Sequence, residues 1–216
     1  MQNCLTPIYE GILNGKMEDV KDAVNQAIKN KLSPETILKD GLISAMGEVG
    51  RRFEIGEYFV PEMLVAARAM QKGLEILKPL IVESDIKPAG RIAIGTVKGD
   101  LHDIGKNLVS MMMEGSGFEV KDLGVDVPPE KFVEVAKSGE ADIIGMSALL
   151  TTTMIGMKNT IESIIEAGLA DSVKVIIGGA PITQAYADEI GANGYAADAG
   201  RAARLALELM GKGNLP

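Results

Sequence analysis

From Arg91 onward the chain alternates short apolar runs with helix-period segments, and this alternation limits the fold more than any other feature. Arg91–Val97, Glu119–Leu123, Asp142–Ser147, Val173–Gly178 and a short Gly194–Ala196 read as strands. Helices are predicted near Ile104–Gly115, Pro129–Ser138, Met154–Ala167, Ile182–Ile190 and Ala199–Met210. A strand that is followed by a helix and then another strand pairs in parallel, with a right-handed crossover over the sheet. The residues 91–216 are therefore expected to form a Rossmann-like, flavodoxin-like α/β domain. Such open sheets place their ligands at the carboxyl ends of the strands.

The residues up to about Val82 follow a different grammar, helix after helix. Thr6-Pro7 is read as the opening of a short helix that ends at Asn14-Gly15. Met17 to Lys31 carries Val20, Ala23, Val24 and Ala27 at helical spacing. Ser33-Pro34-Glu35 combines a capping hydroxyl, a proline at the first helical position and an acid in the first turn. That helix is expected to run through Ile37, Leu38, Leu42, Ile43 and Met46 towards Phe53 and to stop at Gly56. Pro61 opens a fourth, with Leu64, Ala67, Met70, Leu74 and Leu77 on one stripe. Short connections between them predict a four-helix bundle over 1–87. Lys87-Pro88-Ala89-Gly90 reads as the linker.

Composition narrows the function. A net charge of −8 over 216 residues argues against a nucleic-acid partner, whose phosphates need a basic face. One cysteine, Cys4, permits no internal disulfide, and a reducing, cytoplasmic setting is expected. The amino terminus has no signal-like apolar run. The longest apolar stretch, Ile143 to Met157, is broken by Gly145, Ser147 and a Thr cluster, so no membrane association is expected.

The single histidine, His102, falls in Gly99-Asp100-Leu101-His102-Asp103-Ile104-Gly105, directly after the first strand. A lone histidine is more often a satisfied surface or core residue than a ligand. Here Asp100 is placed to hold one ring nitrogen while the other faces a metal. Asp103, next to the helix start, reads more simply as its cap. Two further loops reach the same edge of the sheet, Ser147-Ala148-Leu149-Leu150-Thr151-Thr152-Thr153 and Gly178-Gly179-Ala180-Pro181. Taken singly, their hydroxyls read as helix caps and their glycines as turns. No dinucleotide fingerprint or P-loop is present.

Asp100-x-His102-x-x-Gly105, Ser147-x-Leu149 and Gly178-Gly179, in this order, resemble the three-part signature of cobalamin-binding domains of the methionine synthase type. The whole chain is similar to the stand-alone corrinoid proteins of methyltransferase systems. The resemblance implies a cobalamin cofactor, with His102 replacing the corrinoid's own lower base on cobalt and Asp100 hydrogen-bonded to it. Asp103, Ile104 and Gly105 would adjoin the ligand. Ser147, Leu149 and Thr151 would line the pocket of the nucleotide tail, Thr153 would extend the Asp–His hydrogen-bond chain, and Gly178, Gly179 and Tyr195 would border the tail. Phe59, Val60 and Met63 would cap the upper, methyl-bearing face. The implied function is a non-catalytic carrier that takes a methyl group from a substrate-specific methyltransferase (methylamine, methanol, betaine or methoxyaromatic donor). A second methyltransferase would pass it to coenzyme M or tetrahydrofolate, and a reductive activase is a further implied partner. The alternatives are a cobalamin-binding sensor and the small subunit of a cobalamin-dependent mutase.

Overall fold

The computed structural model describes residues 2–212, so the expected carboxyl-terminal limit of the second domain, Pro216, lies outside the described residues. The chain divides into two compact units, one running to Lys87 and the other beginning at Pro88.

The first unit is a helical bundle of α1 (Gln2–Leu13), α2 (Met17–Lys29), a run made of α3 (Pro34–Thr36) and α4 (Ser44–Glu54) joined through Ile37–Ile43, and α5 (Val60–Glu83). Ser33 caps α3 by accepting from the Thr36 N–H at 3.1 Å, with Pro34 in the first helical position. Gly56 ends α4 in the left-handed conformation, at φ +75. Two features depart from the sequence reading. The first helix starts before Thr6-Pro7 and carries Pro7 inside it, where the missing N–H forfeits one intrahelical bond. Ile37–Ile43 is wound as a π-helix, which lets Ile37, Leu38, Gly41 and Leu42 all turn inward. The core is Ile8, Ile12, Val20, Val24, Leu42, Met46, Val49, Met63, Met70 and Leu77, each almost wholly buried. The buried stripe of α5 runs through Met63, Ala66, Ala67, Met70, Gly73 and Leu77, while Leu64 and Leu74 lie at its half-buried margins. Burying this stripe is what stabilises the helix, because propensity alone is weak.

The second unit is a parallel sheet of β1 (Arg91–Thr96), β2 (Glu119–Asp122), β3 (Ile143–Ser147), β4 (Lys174–Gly178) and β5 (Gly194–Tyr195), ordered β2-β1-β3-β4-β5. The connections are α6 (Ile104–Gly115), α7 (Pro129–Lys137), α8 (Ile155–Glu166) and α9 (Gln184–Ile190), and α10 (Ala199–Leu209) follows β5. The central strands are buried along nearly their whole length, as a sheet covered on both faces requires. One face packs Ala93, Ile144, Met146 and Ile177 with Phe132 and Val135 of α7 and Met157, Ile161 and Ile164 of α8. Register sets Thr96 beside Ser147, and Ser147 beside Gly178. The loops that leave β1, β3 and β4 therefore emerge side by side. The strand order reverses between β1 and β3, which is where such sheets open a crevice for a ligand.

Candidate cofactor site

Asp100 is the anchor of this edge. Its side chain is fully buried, whereas that of His102 is 52% exposed. Oδ1 lies 2.7 Å from His102 Nδ1 and accepts the His102 backbone N–H at 3.1 Å. Oδ2 accepts the Leu149 N–H at 2.8 Å and the Leu150 N–H at 3.4 Å, and lies 2.7 Å from the Thr153 hydroxyl. Burial by itself would raise this carboxyl's pKa. The bonds from Leu149, Thr153, the His102 ring and the His102 backbone outweigh burial and hold it well below the ordinary carboxylate range. An ionised carboxylate only accepts, so the proton between the two side chains resides on Nδ1. In a neutral ring this tautomer leaves the lone pair on Nε2, and the bond to Asp100 sets the direction of a half-exposed imidazole.

The rest of the loop is fixed with equal care. The buried Thr96 hydroxyl donates to the His102 carbonyl at 2.8 Å. The Asp100 N–H closes a turn on the Val97 carbonyl at 3.1 Å, with Gly99 at φ +82. Asp103 immediately precedes α6, and its carboxylate accepts from the Asn107 amide one turn later, at 3.1 Å. Lys106 is buried and engaged with Asp122 at 2.6 Å and Asn107 at 2.7 Å, so it is not offered to a phosphate.

The loops that carry His102 and the partners of Asp100 also carry apolar side chains left to solvent. Ile104 is 75% exposed, Leu101 70%, and Leu149 and Leu150 43% each. Exposed leucines and isoleucines gathered about one polar ligand mark a binding surface. Two glycines of these loops differ in what surrounds them. A methyl group on Gly179, at φ +134, would come within 1.9 Å of the Ala148 carbonyl oxygen, so the fold itself demands glycine there. A methyl group on Gly105 would meet nothing within 4 Å. Glycine in the first turn of a helix costs up to about 1 kcal/mol relative to alanine. The chain's own packing gives no reason to accept that cost at Gly105, and the space beside it is open. This donor set fits a corrinoid, with one imidazole, a buried carboxylate behind it and exposed apolar side chains on the same loops.

Of the other residues singled out from sequence, Ser147 is half-buried at the end of β3, Thr151 is exposed in the next loop, and Gly178 adjoins Gly179. Tyr195 is half-buried in β5. In the helical unit Phe59 and Val60 are exposed at the start of α5, whereas Met63 is 1% exposed, so its side chain belongs to that unit's core. Sequence reasoning did not single out Thr96, Leu101 or Leu150, which the structure brings to this edge. The only signal for Thr96 was a hydroxyl inside an otherwise apolar strand.

Fold and site together define a cobalamin-binding protein, and comparison with known proteins agrees. Residues 90–207 match the family model described as B12 binding domain, and residues 5–78 match a second model of that description. Dimethylamine corrinoid protein 1 of Methanosarcina acetivorans is 48% identical over 97% of this chain and 98% of its own length. A corrinoid protein of Desulfitobacterium hafniense is 41% identical over 98% of this chain and all of its own. Among solved structures, the methanol:cobalamin methyltransferase complex MtaBC of Methanosarcina barkeri aligns with a TM-score of 0.85 and 29% identity, over 97% of this chain and 80% of that one. The chain belongs to the B12-binding family, among the corrinoid proteins of methyltransferase systems. No helix among the described residues is long and apolar enough to cross a membrane.

Proposed function

We propose that the protein is the methyl carrier between two methyltransferases, and that its methyl donor is a methylamine, dimethylamine first. When bound, the corrinoid supplies a cobalt centre able to accept and release a methyl group. The residues of this chain do the rest. His102 would hold the cobalt through Nε2, Asp100 fixes the ring's direction, and Thr153 steadies Asp100. Leu149, Ser147, Gly178, Gly179, Thr151 and Tyr195 would hold the rest of the corrinoid. The observation that carries the reading is the geometry at His102: one ring nitrogen engaged by a buried carboxylate, the other free amid exposed apolar side chains. The donor assignment is supported by dimethylamine corrinoid proteins at 44–48% identity over 97% of the chain. A second methyltransferase would deliver the methyl group to coenzyme M or tetrahydrofolate, and a reductive activase would restore the carrier. Alone the protein should turn over little or nothing.

The test begins with the purified protein and hydroxocobalamin, mixed anaerobically and desalted. Wild type should retain corrinoid with an imidazole-ligated visible spectrum that His102→Ala lacks. The loaded protein is then offered to methyltransferases for dimethylamine, monomethylamine and methanol. Fastest methylation with the dimethylamine enzyme supports the donor assignment, and fastest methylation with the methanol enzyme overturns it. Retained corrinoid with identical spectra for wild type and His102→Ala would remove His102 as ligand.

A further inference from the structure

The carboxylate and loop on one side of His102 are accounted for by the site above; the loop on the other side, between β2 and α7, is not. Leu123–Val127 runs along the extended end of β1, with the Leu123 N–H on the Ile94 carbonyl at 2.8 Å, the Thr96 N–H on the Gly124 carbonyl at 3.0 Å and the Val127 N–H on the Thr96 carbonyl at 2.9 Å. Its start is pinned by Asp122, which accepts the Gly124 N–H and the buried Lys106 ammonium of α6. Near its tip stands Asp126, at φ +54. Aspartate tolerates this left-handed conformation better than most residues, yet it is still unfavourable. In an ordinary turn the side chain of such a residue closes its own turn. Asp126 instead spends its carboxylate and its backbone N–H far along the chain. Its carboxylate accepts the Gly99 N–H at 2.7 Å, and its backbone N–H donates to the Asp100 carbonyl at 3.0 Å.

We infer that Asp126 is a positioning residue for the cobalt ligand, gripping the backbone of Gly99 and Asp100 so that the His102 ring stays aimed. This rests on the reading of His102 as the lower ligand. Asp100 is then held twice, at its carboxylate by the loop after β3 and at its carbonyl by Asp126. Thr96 fixes the next point, the His102 carbonyl. With the carboxylate of Asp126 removed, Gly99, an exposed glycine in a turn, regains freedom at the hinge of the ligand loop. The imidazole then samples directions away from the metal, and the share of protein carrying the lower ligand falls although every residue that touches the corrinoid is unchanged.

The experiment compares Asp126→Ala, Asp126→Gly and Asp126→Asn in full-length, hydroxocobalamin-loaded protein, by visible spectrum, and follows amide exchange at Gly99 by NMR in the same chain without corrinoid. Alanine should speed Gly99 exchange about tenfold, the effect of losing a hydrogen bond to a charged group, and lower the imidazole-ligated fraction. Glycine relieves the φ strain but lacks the acceptor, so it should behave like alanine. Asparagine keeps both the acceptor and the tolerance for this conformation, so it should stay within about twofold of wild type. Wild-type exchange and spectra in both alanine and glycine variants would overturn the inference. His102→Ala separates the two readings. If its spectrum changes while the Asp126 variants do not differ, only this inference fails; if its spectrum equals wild type, the ligand reading fails.

Discussion

Asp100→Asn is nearly isosteric and tests the centre of the site. Five donors converge on the carboxylate, two at Oδ1 and three at Oδ2. An amide has one oxygen. If that oxygen takes the Oδ2 position, the amide nitrogen faces the His102 backbone N–H and the ring. The opposite orientation sets the nitrogen against the Leu149 and Leu150 N–H groups and is no better. In the first case the backbone N–H loses a charged acceptor at a cost of about 2 kcal/mol, and the half-exposed ring, which water partly satisfies, adds about 1 kcal/mol. The sum, about 3 kcal/mol, corresponds to a fall of about 1.5 M in the urea midpoint at a slope of about 2 kcal/mol/M. The amide would also donate to Nδ1 and so drive the ring proton to Nε2, which removes the lone pair proposed to face the metal. Urea unfolding by circular dichroism gives the first readout, and the visible spectrum of the cobalamin-loaded variant gives the second. A midpoint within about 0.25 M of wild type, equivalent to ~0.5 kcal/mol, together with a wild-type spectrum, would refute the reasoning.

Two glycine substitutions should separate in opposite directions. Gly179→Ala puts a methyl group onto the Ala148 carbonyl at φ +134 and should destabilise the apoprotein by about 3 kcal/mol or more, read by thermal unfolding. Gly105→Ala meets nothing, so apoprotein stability should hold or rise by up to about 1 kcal/mol while cobalamin retention falls; retention equal to wild type would disprove the ligand-space assignment. Acid should also be informative. The folded state keeps the Asp100 carboxyl below its ordinary range, so as pH drops the unfolded chain takes up this proton first. The stabilisation is complete above the unfolded value of about 3.9, and it is lost as pH falls below that towards the lower folded value. The difference in urea midpoint between wild type and Asp100→Asn should therefore be largest near neutrality and shrink below about pH 4; a constant difference would contradict the linkage.

The α/β unit was largely legible because each of its signals is local. Apolar strands such as Ile143–Ser147 have little alternative to burial; in the helical unit, Ser33-Pro34 likewise carries its own helix start. The strands and helices from Arg91 on fall within a residue or two of their predicted ends. In the helical unit, Pro7 was misread because proline signals a start wherever a helix could begin, and the helix is already running from Gln2 when it reaches Pro7. The π-turn at Ile37–Ile43 has no composition of its own. At the site, residues that act through side chains within a motif could be seen, while those that act by bonding a distant backbone could not. Asp126 is 27 residues from the Gly99 N–H it holds, and nothing in the sequence around either one records the pairing.

The apolar rim of Leu101, Ile104, Leu149 and Leu150 bears on how the protein survives, apart from how it works. Such a surface, bare on a newly made chain, invites association with other unfolded or half-folded chains and capture by proteases. Covering it with a tightly held cofactor removes the hazard and adds stability in proportion to the logarithm of cofactor concentration over its dissociation constant. Corrinoid supply would then set the amount of protein in the cell as well as the fraction that is charged. A culture starved of cobalt should lose the polypeptide itself while its transcript persists.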